Sequence, residues 1–227
     1  MLIGILQCGH FPKVDGYPER TYTDLYSSLL AGRGLTFRTW SVVDMEFPDS
    51  VHDAEGWLVT GSRHGAYEDL PFIAPLEDFI RDAFAEKVPL VGICFGHQII
   101  AQAMGGRVEK FAGGWSIGPT DYDFDGETVP LNAWHQDQVV EPPKGARTVA
   151  SSEACRYAAF LYDGHAMTIQ PHPEFDRDAV DLLLKARAPG VVDPDRIDAA
   201  LARIDSPVAN AAAADRIADF FKENSRG

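Results

Sequence analysis

A chain of 227 residues, 45% hydrophobic and 24% charged, has enough apolar side chain for one large α/β core. Its formal net charge of −14 would be repelled by a polyphosphate backbone, which argues against nucleic acid as a partner. Three cysteines, Cys8, Cys94 and Cys155, are too few and too scattered for a disulfide framework and suit a reducing cytoplasm.

The first residues lack the basic n-region and the length of a signal sequence. No apolar run is long enough to span a membrane, so no membrane partner is expected. Residues 2–6 read as a fully buried strand. Residues 21–32 carry Tyr22, Leu25, Leu29 and Leu30 at helical spacing and stop at Gly32 and Gly34. Residues 36–43 are rich in β-formers. Trp57-Leu58-Val59 is a short strand that runs into Thr60-Gly61-Ser62. Residues 72–84 place Phe72, Leu76, Phe79, Ile80 and Ala83 on one helical face. Next come an apolar strand from Val88, a turn at Cys94, and a helix over 98–104 that ends at Gly105-Gly106. Strands alternating with helices predict a mostly parallel, flavodoxin-like sheet covered by helices, with ligands beyond its carboxyl ends.

From 107 to 170 the helical spacing vanishes. Turn sequences at 123–126, 142–145 and 163–164 separate β-like runs, which predicts added antiparallel strands. Residues 166–170 form a last core strand and end at Pro171-His172-Pro173-Glu174. Beyond Phe175 the chain turns helical. Val180, Leu183 and Leu184 make one stripe, Ile197, Ala200, Leu201 and Ile204 another, and Ile217, Phe220 and Phe221 a third. Asp193-Pro194 reads as the cap and first position of the middle helix. No linker divides the chain, so the expectation is a single domain over 1–227 with 176–227 as a helical C-terminal extension. Its stripes read most simply as core contacts; a homodimer surface or a lid over the site stays open.

The chemistry centres on Gly92-Ile93-Cys94-Phe95-Gly96. Gly-x-Cys-x-Gly between a strand and a helix is the thiol form of the nucleophile elbow. The glycines are expected to supply strained backbone angles and close backbone approach. The following helix points its N-terminal partial charge at the sulfur, which favours thiolate. A lone buried cysteine is normally a small hydrophobe; the flanking glycines set this one apart. Among seven histidines, His172 has the best context. It follows a core strand, is stiffened by a proline on each side, and has Glu174 projecting to the same side. The spacing alone leaves open a plain surface turn.

Gly-Ile-Cys-Phe-Gly-His-Gln together with Gln-Pro-His-Pro-Glu-Phe resembles the class I, triad-type glutamine amidotransferases. Thr60-Gly61-Ser62, Gly113-Gly114-Trp115-Ser116 and Trp134-His135-Gln136-Asp137 agree with it. The likeness covers roughly residues 1–175. It is greatest to stand-alone members similar to the amidotransferase half of GMP synthase, and to γ-glutamyl peptidases. The resemblance implies that Cys94 attacks a γ-glutamyl amide, His172 moves the proton and Glu174 orients His172. It implies an oxyanion hole from the N–H groups of Gly61 and Phe95, and substrate contacts from Gln98, Trp115 and Ser116. His97 stands where many relatives carry methionine and is read as packing. Cys8 and Cys155 are read as core thiols. His135 and Asp137 fit the rim of the site or a structural role equally. No metal or cofactor is expected, since P-loop, dinucleotide and zinc spacings are missing.

Three functions follow. One is a glutaminase subunit that serves a separate synthase or acceptor subunit. Another is a free-standing hydrolase or transferase of γ-glutamyl compounds. The third is a non-catalytic binding protein on the same scaffold.

Overall fold

The computed structural model describes residues 1–225. Its sheet begins with β1 (Leu2–Leu6), β2 (Thr36–Trp40), β3 (Gly56–Val59) and β4 (Leu90–Ile93), alternating with α1 (Tyr22–Leu29), α2 (Ile73–Ala85) and α3 (Phe95–Ala103). Every residue of β3 and β4 is buried, the pattern of strands covered on both faces. Gly4 makes room for Trp57: a Cβ there would lie 2.1 Å from the indole ring. Trp57 in turn packs edge-on against Phe79 of α2.

The later strands are β5 (Arg107–Lys110), β6 (Ser116–Phe124), β7 (Glu127–His135), β8 (Asp137–Glu141), β9 (Arg147–Ser151), β10 (Ala159–Tyr162) and β11 (Ala166–Ile169). One sheet runs in the order β2-β1-β3-β4-β11-β10-β9-β6-β7, and β5 with β8 forms a separate ribbon. The pairs from β2 to β11 are parallel and those from β11 to β7 antiparallel. This is the α/β architecture expected. Asp125 and Gly126 close the β6–β7 hairpin, both with positive φ, as a two-residue turn between right-twisted strands requires.

The chain ends in α4 (Arg177–Ala186), α5 (Pro194–Ala202) and α6 (Asn210–Asn224). Asp176 caps α4, and Asp193 caps α5 with Pro194 in its first position. One face of the sheet carries α1, α4 and α6, whose Leu25, Leu183, Ile217 and Phe221 share a core. The other carries α2 and α3, through Phe79, Ile80, Ile99 and Ile100. Thus α6 packs into the core; a Cβ on Gly56 of β3 would come 2.8 Å from the Phe221 ring.

Two boundaries differ from the sequence expectation. The β run over 36–43 stops at Trp40, because the Ser41 hydroxyl donates to Asp44 and tightens Val42–Asp44 into a 3-10 turn. The helix expected from Gln98 begins at Phe95, directly after the turn.

Candidate active site

β3, β4 and β11 are neighbours in the sheet and parallel. Their carboxyl ends therefore lie side by side, and they lead into Thr60-Gly61, Cys94 and Pro171-His172. Cys94 bridges β4 and α3 with φ 54° and ψ −102°, a backbone that L residues rarely adopt. Here the expectation is corrected. The left-handed φ belongs to the cysteine, and the flanking glycines provide clearance. A Cβ on Gly92 would meet the Gly96 carbonyl oxygen at 2.5 Å, and one on Gly96 the Val59 carbonyl oxygen at 2.2 Å. The helix can start this close to the strand only with hydrogen at both positions.

His172 lies beside the turn and is 1% exposed. Its Nδ1 donates to Glu174 Oε1 at 2.7 Å, which leaves Nε2 as the free ring nitrogen, without a hydrogen-bond partner among the described residues. The Phe175 ring stacks on the imidazole at 4.1 Å and 3°. The His172 N–H donates to the Asn132 carbonyl of β7 at 2.8 Å. The side-chain amides of Asn132 and Asn210 both donate to the Phe175 carbonyl at 2.9 Å. Glu174 Oε1 also accepts from the Tyr26 hydroxyl at 2.8 Å. Burial first, and the Glu174 charge second, raise the Tyr26 pKa, so the phenol keeps its proton and donates. For His172, burial acts to lower the pKa; the opposing charges of Cys94 and Glu174 outweigh it and raise the value to about 10. Gly61 stands against this ring: a Cβ there would lie 3.1 Å from His172 Cε1 and 3.3 Å from the Tyr22 hydroxyl.

In front of Cys94 is a cavity of about 350 Å³, within the range of small-ligand clefts. Cys94, Gln98, Trp115, Trp134, His135 and Asp137 all line it. Trp115 and Trp134 lie 5.8 Å apart as one aromatic wall. That wall is held from outside by Arg196 of α5, which donates to the carbonyls of Gly113 at 2.7 Å and Trp115 at 2.5 Å. Ser116 opens β6 opposite His135 and is not among the lining residues. The Gln98 Nε2 group is committed to the Asp137 carbonyl at 2.8 Å and Gln170 Oε1 at 3.1 Å. Only its carbonyl oxygen is left for a ligand.

The family model described as glutamine amidotransferase class-I matches residues 40–182, more than half of the chain. The chain belongs to the class I glutamine amidotransferases. It is 33% identical to γ-glutamyl peptidase 4 of Arabidopsis thaliana over 188 residues, which cover 74% of each chain. It is 33% identical to the glutamine-hydrolysing GMP synthase of Thermus thermophilus over 66% of this chain and 31% of the synthase. Among solved structures, a glutamine amido transferase from Methylobacillus flagellatus superposes with a TM-score of 0.74 at 22% identity, covering 99% of this chain and 94% of that one. This last likeness shows the fold.

Of the other candidate residues of this amidotransferase, His97, Cys8 and Cys155 fall away from the cavity, and His135 lines it. His97 is fully buried and stacks on Phe160. Its Nε2 faces the Tyr157 carbonyl at 3.0 Å and so carries the proton, leaving Nδ1 to accept from Thr168 at 2.8 Å. Burial holds its pKa down to about 3. The thiols of Cys8 and Cys155 are pushed up by burial, the latter to about 12, and both belong to the core. His135 lines the cavity with neither ring nitrogen bonded among the described residues, and burial followed by the His172 charge lowers its pKa to about 3. No cluster of three or more metal-ligating side chains occurs among the described residues, and no described helix is long and apolar enough to cross a membrane.

Sequence reasoning missed Tyr26, Asn132 and Arg196. Tyr26 is separated from Glu174 by 148 positions and Arg196 from Gly113 by 83. No local pattern marks either pair; only the topology brings them together.

Proposed function

We propose that the chain hydrolyses the γ-glutamyl amide bond of small γ-glutamyl compounds, with Cys94 as nucleophile, His172 as proton carrier and Glu174 as the group that orients it. The observation that carries this reading is the 2.7 Å pair between His172 Nδ1 and Glu174 Oε1, with Nε2 left free beside a cysteine at a strained elbow. The Cys94 thiol gives its proton to Nε2, and Sγ attacks the γ-carbonyl carbon. The carbonyl oxygen becomes an oxyanion, for which the N–H groups of Gly61 and Phe95 are the assigned donors. Phe95 is the first residue of α3, so its N–H has no intrahelical acceptor. The C–N bond then breaks, and His172 passes the proton to the departing nitrogen. A γ-glutamyl thioester and a free amine result. Water attacks the thioester, His172 takes its proton, the S–C bond breaks, and the proton returns to Cys94 as glutamate leaves. Trp115 and the Gln98 carbonyl oxygen are the contacts assigned to the γ-glutamyl part, with Ser116 anchoring Trp115 through β6.

Similarity to a γ-glutamyl peptidase over 74% of both chains supports release of the amine to solvent rather than its delivery to a synthase. Amine release is measured from glutamine and from a panel of γ-glutamyl dipeptides, with Cys94→Ala as control. Preferential cleavage of the dipeptides, lost in the variant, is the expected outcome. A panel in which only free glutamine reacts, and reacts faster when a synthase is added, rejects the reading.

A further inference from the structure

Acidic residues outnumber Lys and Arg by 34 to 20 in this chain, and most basic side chains have a partner. Arg33, Arg81, Arg177 and Lys185 exemplify those paired with carboxylates. Arg196 holds backbone carbonyls, while Arg38, Arg156 and Arg216 lie over aromatic rings. Arg63, Lys87, Lys110, Lys144 and Arg187 remain, with no ion pair, carbonyl or ring partner among the described residues. Three of those five, Arg63, Lys110 and Arg187, line the cavity over Cys94. They arrive from three separate segments: the loop after β3, the end of β5, and the C-cap of α4. All three are exposed, which puts them at the mouth of the cavity while Cys94 lies buried within it.

Two carboxylates share this lining. Glu68 is already engaged: Oε1 accepts from the Gly65 N–H at 2.8 Å, and Oε2 lies 3.5 Å from His64 Nδ1. Asp137 is near enough for Lys110 to act on its charge, although the two make no ion pair. Neither acid contacts Arg63 or Arg187. The guanidinium groups are planar forks that match a carboxylate in two-point geometry. They face a cavity whose inner end would hold the γ-glutamyl carbonyl.

We propose that Arg63 and Arg187 form a subsite for a carboxylate carried by the departing amine, so that the preferred substrates are γ-glutamyl derivatives of amino acids. This rests on the γ-glutamyl hydrolase reading above. The test uses the full chain and a matched pair of probes, γ-glutamylglycine and γ-glutamylglycinamide, in which the leaving amine carries a carboxylate or a neutral carboxamide of similar size. Wild-type protein is expected to favour the acid by about tenfold in kcat/KM. That ratio is expected to fall toward one in Arg63→Gln combined with Arg187→Gln, through a raised KM for the acid. It should also shrink with added salt, because the subsite is exposed. Lys144→Gln, an unpaired base away from the cavity, controls for net charge and should leave the ratio in place.

A wild-type ratio near one overturns the subsite and leaves the hydrolase reading intact. An equal loss on both probes in the arginine variant also overturns it, since the arginines would then be holding the γ-glutamyl half. Failure to cleave either probe while glutamine is hydrolysed overturns the hydrolase reading itself.

Discussion

Replacing Tyr26 by Phe removes one hydroxyl and tests how Glu174 is held. The phenol is fully buried and donates to Glu174 Oε1 at 2.8 Å. Glu174 has one other donor, His172 Nδ1, while Oε2 has no partner among the described residues. The substitution therefore leaves a buried carboxylate with a single hydrogen bond. A hydrogen bond to a charged group contributes about 1.5–3 kcal/mol. In a chain of this length about 1 kcal/mol moves Tm by roughly 2–4 °C, so Tyr26→Phe should lower Tm by about 3–12 °C. If the same energy is lost from the transition state, kcat/KM falls by about 10- to 150-fold. The assay is a double-mutant cycle with Glu174→Gln, followed by thermal unfolding and γ-glutamyl hydrolysis. In the Glu174→Gln background the tyrosine change should cost much less, because the charge it supports has gone. A Tyr26→Phe protein with wild-type Tm and kcat/KM would refute the argument, as would a cycle with no coupling.

Arg196→Gln removes the clamp on the Gly113 and Trp115 carbonyls, and steady-state kinetics should show KM rising by about three- to tenfold with little change in kcat. The pKa of His172 is raised on folding to about 10, so its imidazolium stabilises the fold fully below its unfolded value of about 6.5, and this contribution is lost as pH rises through about 10. Glu174→Gln removes one of the two charges that raise it, and the alkaline fall in stability, followed by urea titration at a series of pH values, should move to lower pH. Deleting residues 208–227 strips Ala214, Ile217, Phe220 and Phe221 from the core. At about 1.5–3 kcal/mol for each large apolar side chain, the loss is on the order of 5 kcal/mol, a large part of a typical domain's stability, so circular dichroism should show an unfolded or aggregated product.

What was legible in the sequence was what lies close together along the chain. The elbow turn spans Gly92–Gly96 and the His172–Glu174 pair is two positions apart, so turn and pair are both written in adjacent letters. Strand and helix types followed from apolar spacing, and with them the α/β class. Strand order was not legible. β11 returns beside β4 with the four antiparallel strands β10, β9, β6 and β7 beyond it, and nothing in its four residues names that partner. The site depends on this order, since it sets His172 next to Cys94. The role of the elbow glycines was half legible: close approach was foreseen, but the strained φ lies on Cys94 itself, and only backbone coordinates can separate the two. Tyr26 was not singled out in its helix, because a stripe of buried residues does not say which hydroxyl meets a carboxylate.

The backbone at Cys94 has an evolutionary consequence. Its left-handed φ would suit glycine better than any residue with a side chain, and strain of this type costs about 1–3 kcal/mol. A cysteine codon becomes a glycine codon by a single base change. With Cys94 in the nucleophilic role proposed above, relaxed selection for turnover would let position 94 drift toward a sturdier protein that binds its ligands and transforms none. On that role, continued demand for the reaction is what keeps sulfur at the bend, and a folded protein without turnover is one nucleotide away.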